Sequence, residues 1–268
     1  GDGLLVLANA PAPAAFAMRM FNSDGSEAET CLNGLRCVAR AGFAATGLEQ
    51  ASVALRTSAA RAAHAPDLSP GVYTVDETAG PATLDVGAWP MRIEAPEVIE
   101  APVPALSATL AFTAVAIPNP HLIAFVDHVD EAELVRIGLA CEAAPDWLPN
   151  RANVSFVEVR GPATLYVRTH ERGVGLTDSC GSAMAASTYA ACLTGRMAFD
   201  SDITVLNRGG LVRARAGRDA MVTLSGNATW EWEGEVTVDP ATGRAGDLTV
   251  LRHFDAEIAA WAAVVAGL

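Results

Sequence analysis

The sequence predicts an α+β fold composed of two half-domains of similar construction. Apolar and polar residues alternate, as in half-buried strands, in six clear segments: Leu110–Ala116, Asn153–Val159, Ala163–Thr169, Leu211–Ala216, Ala220–Leu224 and Ala228–Val238. Helical spacing is clear in three segments: Leu35–Ala45, Ala183–Leu193 and Asp255–Val265. Many strands with few helices favour α+β over a doubly wound parallel sheet.

A repeated layout predicts the two half-domains. Strand-like Ala17–Phe21 leads through a polar loop to Cys31, after which a helix starts. Strand-like Ala163–Thr169 leads through a polar loop to Cys180, after which a second helix starts. We therefore expect an N-terminal half-domain over residues 1–80 and a C-terminal half-domain over 81–235. Residues 236–268 are expected to form an extension that returns to the first half-domain.

The composition bounds the class of protein. The chain has 268 residues, of which 51% are hydrophobic and 18% charged, so it can bury a sizeable core. Its net charge of −13 repels phosphate backbones, so nucleic acid is not an expected partner. All 18 basic residues are Arg. The absence of Lys excludes Schiff-base and pyridoxal phosphate enzymes and the P-loop lysine.

The five cysteines predict a reducing, cytoplasmic setting. An odd number of cysteines without a Cys-x-x-Cys pair is not typical of a disulfide framework or a zinc site, so no metal is expected. No apolar stretch approaches the roughly 20 residues that a membrane span needs, and no membrane partner is expected.

Cys31 and Cys180 are the candidate catalytic residues. A Cys just before a helix lies close to the first unpaired backbone N–H groups, whose partial positive charge favours a thiolate. The same N–H groups can hold a carboxylate. Two such helix ends placed face to face could remove the α-proton of an amino acid on one side and deliver a proton on the other, without a cofactor. The other cysteines, Cys37, Cys141 and Cys192, are interpreted as buried packing residues.

Four motif regions give the sequence a family resemblance. The first contains Phe-Asn-Ser-Asp-Gly-Ser at 21–26 and Cys-Leu-Asn-Gly-Leu-Arg-Cys at 31–37. The second is Asn-Pro-His at 119–121, and the third is Arg-Ala-Asn-Val at 151–154. The fourth pairs Glu-Arg-Gly-Val-Gly at 171–175 with Ser-Cys-Gly-Ser-Ala at 179–183. In this order they resemble the diaminopimelate epimerases, a group of cofactor-independent two-cysteine amino-acid epimerases and racemases.

The resemblance implies a fold, an activity and a site. The fold would be two pseudo-symmetric half-domains, each a curled, mainly antiparallel sheet around a central helix, with the active site in the cleft between them. The activity would be the epimerisation of LL- to meso-diaminopimelate in lysine and peptidoglycan-precursor biosynthesis, by a homodimer. The catalytic pair would be Cys31 and Cys180. The implied substrate-binding residues are Asn22, Leu32, Asn33, Asn119, His121, Asn153, Glu171, Arg172, Gly181 and Ser182.

Departures from the family pattern keep other functions open. Leu32 stands where the family has a Gly, Gly3 stands where a substrate-side Gln is usual, and the family's opening Gly-Asn-Asp-Phe segment has no counterpart in these residues. One alternative is a racemase of another amino acid, such as histidine, with the same two cysteines. Another is a ligand-binding paralogue without turnover. A third is an isomerase of the same fold with a carboxylate base, as in phenazine-biosynthesis-like proteins.

Overall fold

A computed structural model describes residues 3–28, 31–89 and 91–268. The helices are α1 (Leu32–Thr46), α2 (Glu131–Glu142), α3 (Gly181–Leu193) and α4 (Asp255–Ala266). The strands are β1 (Gly3–Ala8), β2 (Phe16–Asn22), β3 (Gln50–Ala54), β4 (Ala59–Ala65), β5 (Thr74–Ala79), β6 (Ala101–Pro102), β7 (Ala111–Ala116), β8 (Pro120–Phe125), β9 (Asn153–Gly161), β10 (Thr164–Glu171), β11 (Gly175–Thr177), β12 (Ile203–Asn207), β13 (Gly210–Ala216), β14 (Val222–Asn227), β15 (Trp232–Asp239) and β16 (Arg244–His253).

One topology occurs twice. An antiparallel pair, β1 with β2, is followed by α1, which crosses over to β3 parallel to β2. A meander of β3, β4 and β5 completes this unit. In the same way β9 and β10 pair antiparallel, α3 crosses over to β12 parallel to β10, and β12, β13 and β14 form a meander. The repeat expected from the two strand–loop–Cys–helix segments is therefore present in the fold.

The two units join edge to edge through their last strands. β5 pairs antiparallel with β14, with Glu77 opposite Leu224, so a single sheet runs through both units in the order β1-β2-β3-β4-β5-β14-β13-β12-β10-β9-β8-β7-β6. The second unit carries additional structure, because β8 pairs parallel with β9 after a crossover through α2. The α+β class with two curled, mainly antiparallel half-domains is confirmed.

Helices α1 and α3 lie inside the two curled units. In α1 the buried residues Leu35, Val38, Ala39 and Phe43 recur at helical spacing and pack with Phe16 and other core residues of the first unit. The helix ends at Gly47, whose φ of 72° suits the left-handed conformation and whose N–H bonds to Phe43 O at 2.8 Å. Helix α3 is buried on most sides and is built largely from Ala, which lets the surrounding strands approach it closely.

The predicted helix positions agree with the observed ones to different degrees. The predicted starts of α3 and α4 lie within two residues of the observed ones, whereas α2 was not predicted at all.

The extension forms an antiparallel hairpin, β15 with β16, followed by α4. Glu257 of α4 forms an ion pair with Arg40 of α1 at 2.5 Å. This contact reaches the first unit, while the proposed domain boundaries themselves stay a prediction.

No helix in the described part of the chain combines the length and apolar character needed to cross a membrane.

Candidate active site

Cys31 and Cys180 are the N-cap residues of equivalent helices. Both have extended backbones, with φ of −152° and −125°, and α1 and α3 begin at the residues that follow them. Their carbonyl oxygens accept the first helical hydrogen bonds, from Leu35 N at 2.8 Å and Met184 N at 3.0 Å. Each sulfur is therefore next to backbone N–H groups that carry partial positive charge.

The N-termini of α1 and α3 face each other across the two units. A Cβ placed on Gly181 would lie 2.7 Å from the Cβ of Leu32, so the two helix ends touch where only a glycine fits. The Asn33 side-chain amide donates to the carbonyl oxygen of Ser179 at 3.3 Å and to its hydroxyl at 3.4 Å. These contacts hold Ser179, which precedes Cys180, against Asn33 in the first turn of α1, which follows Cys31.

Both cysteines line one cleft of about 890 Å³ between the two units. This is within the size range of small-molecule sites. Nine of the twelve expected site residues border it: Asn22, Cys31, Leu32, Asn33, Asn119, Glu171, Cys180, Gly181 and Ser182. The expected position of the site, in the cleft between the half-domains, agrees with this geometry.

Three expected site residues do not border the cleft, and two of them, His121 and Asn153, are buried. Asn153 is buried, and its side-chain oxygen accepts the backbone N–H of Arg172 at 3.0 Å. The Arg172 guanidinium donates to the carbonyl oxygen of Asn150 at 2.9 Å. His121 is fully buried and its Nε2 is 3.2 Å from the side-chain oxygen of Asn119, which does border the cleft. In this arrangement Asn153 and His121 support cleft-lining segments from behind.

The thiol of Cys31 is subject to opposing influences. Burial raises the pKa of Cys31 above its ordinary value, and the charge of Glu77 raises it further. The Gly34 N–H donates to the sulfur at 3.3 Å and, together with the Arg36 charge, lowers it. The sequence pattern alone pointed to thiolate stabilisation by the helix end, and the structure adds a desolvation cost that opposes it.

The thiol of Cys180 has a different partner. Burial raises the pKa of Cys180, and the charge of the nearby Glu171 carboxylate raises it further. The Ser182 hydroxyl, 3.6 Å from the sulfur, acts in the opposite direction. Glu171 is itself held by the hydroxyl of Thr177 at 2.5 Å. The two cysteines therefore differ, since the Cys31 sulfur caps its helix by accepting the Gly34 N–H, while the Cys180 sulfur makes no cap hydrogen bond and lies near a carboxylate.

Some cleft residues were not singled out by the sequence. Ser58 and Thr78 border it from the first unit, and Thr177 and Ser179 border it from the second. Thr177 and Ser179 lie within three residues of Cys180, so closeness in sequence was an available signal. Ser58 and Thr78 come from the β3–β4 turn and β5, and no local pattern marks them.

The burial of His121 predicts a pH dependence of stability. Burial, with the charge of Arg172, lowers the pKa of His121 to about 3, so the folded protein keeps this imidazole neutral. The unfolded chain has a His pKa of about 6.5 and takes up the proton first as the pH falls. Stability from this group is thus complete well above pH 6.5 and is lost as the pH falls through 6.5 towards 3, by about 2 kcal/mol between pH 7.5 and 5.

Urea unfolding of the parent and of His121→Gln at pH 7.5 and pH 5 measures this effect. We expect the loss of unfolding free energy between the two pH values to be smaller in the variant by about 2 kcal/mol. Equal losses in the two proteins would show that His121 is not the group responsible.

Known relatives match the chain over most of its length. The sequence profile of the family described as diaminopimelate epimerase matches residues 113–231. The diaminopimelate epimerase of Clostridium acetobutylicum is 40% identical over 245 residues, which cover 89% of this chain and 73% of that protein. The diaminopimelate epimerase of Enterococcus faecalis is 41% identical over 237 residues, which cover 85% of this chain and 72% of that protein.

A solved structure supports the fold independently. A predicted epimerase from Pseudomonas aeruginosa superposes with a TM-score of 0.60 at 19% identity, covering 84% of this chain and 80% of that one. At that identity the similarity supports the fold alone. The curated relatives go further, because each is about 40% identical and the chain covers more than two thirds of it. The chain therefore belongs to the diaminopimelate epimerase family and is an isomerase.

Proposed function

We propose that this protein epimerises diaminopimelate at its α-carbon by a two-base thiol mechanism without a cofactor, within lysine and peptidoglycan-precursor biosynthesis. One observation carries the mechanism: Cys31 and Cys180 are the N-cap residues of two helices whose ends meet at one cleft. The substrate is taken from the relatives, which are diaminopimelate epimerases. As the resemblance implies, a homodimer is the proposed assembly.

The two helix ends supply the charge stabilisation that the reaction needs. An α-proton beside a carboxylate is a very weak acid, so the negative charge that develops on the carboxylate must be stabilised. In this proposal the backbone N–H groups of Leu32, Asn33, Gly181 and Ser182 hold that carboxylate. The α-carbon then lies between the two sulfurs, so that each reaches one face.

One proton leaves one face of the α-carbon, and a different proton arrives at the opposite face. One thiolate takes the α-proton and becomes a thiol, while the opposite thiol gives its proton to the other face and becomes a thiolate. In this proposal Cys31, whose sulfur accepts the Gly34 N–H, is the group that ionises to act as the base, and Cys180, whose pKa is raised by burial and by the Glu171 charge, is the thiol. After one turnover these states are exchanged, and the reverse reaction or a proton transfer with solvent restores them.

The cleft also offers groups for the rest of the substrate. Asn22 and Asn119 provide both donors and acceptors at its border, and Glu171 provides a carboxylate for an ammonium group. Arg172 is adjacent to Glu171 in sequence, and its backbone N–H and guanidinium donate to Asn153 and Asn150. Its proposed role is therefore to hold the Glu171 segment in place.

A racemase of another amino acid is the second candidate. The observation that favours it is Leu32, whose side chain lies at the cleft between the two helix ends where the family pattern has a glycine. A larger residue here narrows the space next to the α-carbon. A smaller substrate than diaminopimelate would fit such a site.

A panel assay separates these functions. Epimerisation is followed by chiral chromatography with LL-diaminopimelate, histidine, proline and alanine as separate substrates. The proposal predicts turnover of diaminopimelate well above the others. Turnover of another amino acid alone would establish the second candidate, and no turnover of any substrate would favour a paralogue without catalytic activity.

A further inference from the structure

A buried ion pair lies directly beneath the facing helix ends. The side chains of Arg36 on α1 and Glu77 on β5 are only 5% and 0% exposed, and their charged atoms are 2.5 Å apart. Burying such a pair costs several kcal/mol of desolvation per ion, and a hydrophobic pair of similar volume is often as stable. Stability alone therefore does not account for these two residues.

Arg36 uses its guanidinium in three directions. One terminal nitrogen donates to Glu77, Nε donates to the carbonyl oxygen of Asn227 at 3.2 Å, and the other terminal nitrogen donates to the side-chain oxygen of Asn33 at 2.8 Å. Glu77 and Asn227 belong to β5 and β14, the two strands that join the units. The guanidinium is thus fixed at the seam between the two units.

This seam accepts the guanidinium because of a glycine. A Cβ at Gly226 on β14 would lie 2.6 Å from the Nε of Arg36. This close approach to the Gly226 backbone is required for Arg36 to reach the end of β14. It restricts the Arg36 side chain to a single position relative to both units.

The contact with Arg36 decides the orientation of the Asn33 amide. An N–H donor must face an oxygen, so the Asn33 oxygen is turned towards Arg36 and its NH₂ group is turned towards Ser179. Ser179 immediately precedes Cys180, and its hydroxyl also accepts from Asn207 at 3.3 Å. The path therefore runs from Glu77 through Arg36 and Asn33 to the residue next to the second catalytic candidate.

We propose that Glu77 and Arg36 are positioning residues for the epimerisation, which orient Asn33 so that it bridges the two helix ends and sets the distance between the catalytic thiols. We call the Asn33–Ser179 contact the Asn33 bridge. This inference rests on the proposed function, because the two thiols must reach opposite faces of one α-carbon. An error of about 1 Å in such a geometry costs on the order of 100-fold in rate.

The test compares two ion pairs on the same helix. Glu77→Gln and Arg36→Lys disturb the pair that leads to the Asn33 bridge. Glu257→Gln is the matched control, since it removes the carboxylate paired with Arg40, one turn further along α1, and takes no part in the hydrogen bonds that link Glu77, Arg36 and Asn33. We expect Glu77→Gln and Arg36→Lys to lower kcat by roughly 10- to 100-fold, with KM changed much less, and Glu257→Gln to leave both nearly unchanged.

A double variant shows whether the effect passes through Asn33. If Glu77 acts through the Asn33 bridge, then Glu77→Gln lowers kcat little further once Asn33→Ala is present. Losses that multiply in the double variant would overturn the inference. So would a Glu77→Gln protein that is destabilised to the same extent as Glu257→Gln but has the kcat of the parent.

A second readout does not depend on activity. Loss of the Asn33 bridge lets the helix ends separate, and buried Cys180 then becomes more accessible. We expect iodoacetamide to alkylate Cys180 roughly two to ten times faster in Glu77→Gln and Arg36→Lys than in Glu257→Gln, measured by peptide mass spectrometry. Equal rates would overturn the inference. Absence of turnover in the parent would reject the proposed function, while the alkylation rates would still decide the role of Glu77.

Discussion

Cys31→Ser and Cys180→Ser are each expected to lower the rate of epimerisation by about 10²- to 10⁴-fold, the contribution of a positioned acid or base. Serine keeps the size of the side chain and the hydrogen-bonding position at the helix N-terminus, but its hydroxyl is a far weaker acid than a thiol. Each variant therefore loses proton transfer on one face only. The rate is measured with each stereoisomer of diaminopimelate as the starting substrate.

The remaining thiol gives these variants a second signature. In Cys31→Ser, Cys180 can still remove and return the proton on its own face, so one stereoisomer exchanges its α-proton without inversion. In Cys180→Ser the other stereoisomer does so. Cys37→Ser is the control, because Cys37 is a partly buried thiol on α1 that does not border the cleft. A serine variant at position 31 or 180 with the parental epimerisation rate would contradict the two-thiol mechanism.

Gly181→Ala is expected to reduce kcat by on the order of 100-fold, because the added methyl group forces the facing helix ends apart. The new Cβ would lie 2.7 Å from the Cβ of Leu32. The position of that Cβ is fixed by the helix backbone, so a rotamer change of Leu32 cannot relieve the clash. Overpacking of this kind also lowers the free energy of unfolding by about 1–3 kcal/mol. Steady-state kinetics and urea unfolding measure the two effects.

The Leu32→Gly change should rescue Gly181→Ala in part. It removes the side chain that the new methyl group meets, so the double variant is expected to recover much of the lost kcat even though Leu32→Gly alone adds backbone freedom. Gly246→Ala is the control, since a Cβ there meets no atom within 4 Å. A double variant that is no better than Gly181→Ala would show that contact with Leu32 is not the reason for the glycine.

The repeat and the helix starts could be predicted from local sequence. A Cys followed by small and polar residues and then by an Ala-rich helical pattern gave the starts of α1 and α3, because the residue before a helix is extended and the next few are not. Helix α2 was missed although Asp130 provides an N-cap that accepts from Ala132 N at 2.9 Å and Glu133 N at 3.1 Å. That capping signal was readable from the sequence.

The direction of the side chains was less predictable. On β8 and the first half of β9 the residues are buried on both faces, so alternation does not show whether His121 or Asn153 points towards the cleft. Motif membership placed them at the site, and the structure places them behind its wall. The orientation of Asn33 by Arg36 and Glu77 depends on the joining of β5 and β14, which are about 150 residues apart in sequence and share no local pattern.

Leu32 lies against Gly181 as well as at the cleft. Its departure from the family glycine first suggested a different substrate. In the structure the side chain fills the space between the helix ends opposite Gly181. The substrate panel and the Gly181 and Leu32 variants together distinguish a residue that selects the substrate from one that spaces the helices.

Isotope incorporation in D₂O tests whether two thiols act on opposite faces of one α-carbon. A single stereoisomer of diaminopimelate is supplied, and α-deuterium is measured by NMR in product and in remaining substrate during the first few per cent of conversion. The two-thiol mechanism predicts a product that carries deuterium at the inverted α-carbon, while the remaining substrate keeps its proton. A product that retains the original α-proton would show that a single base removes and returns it, and would contradict the two-thiol mechanism.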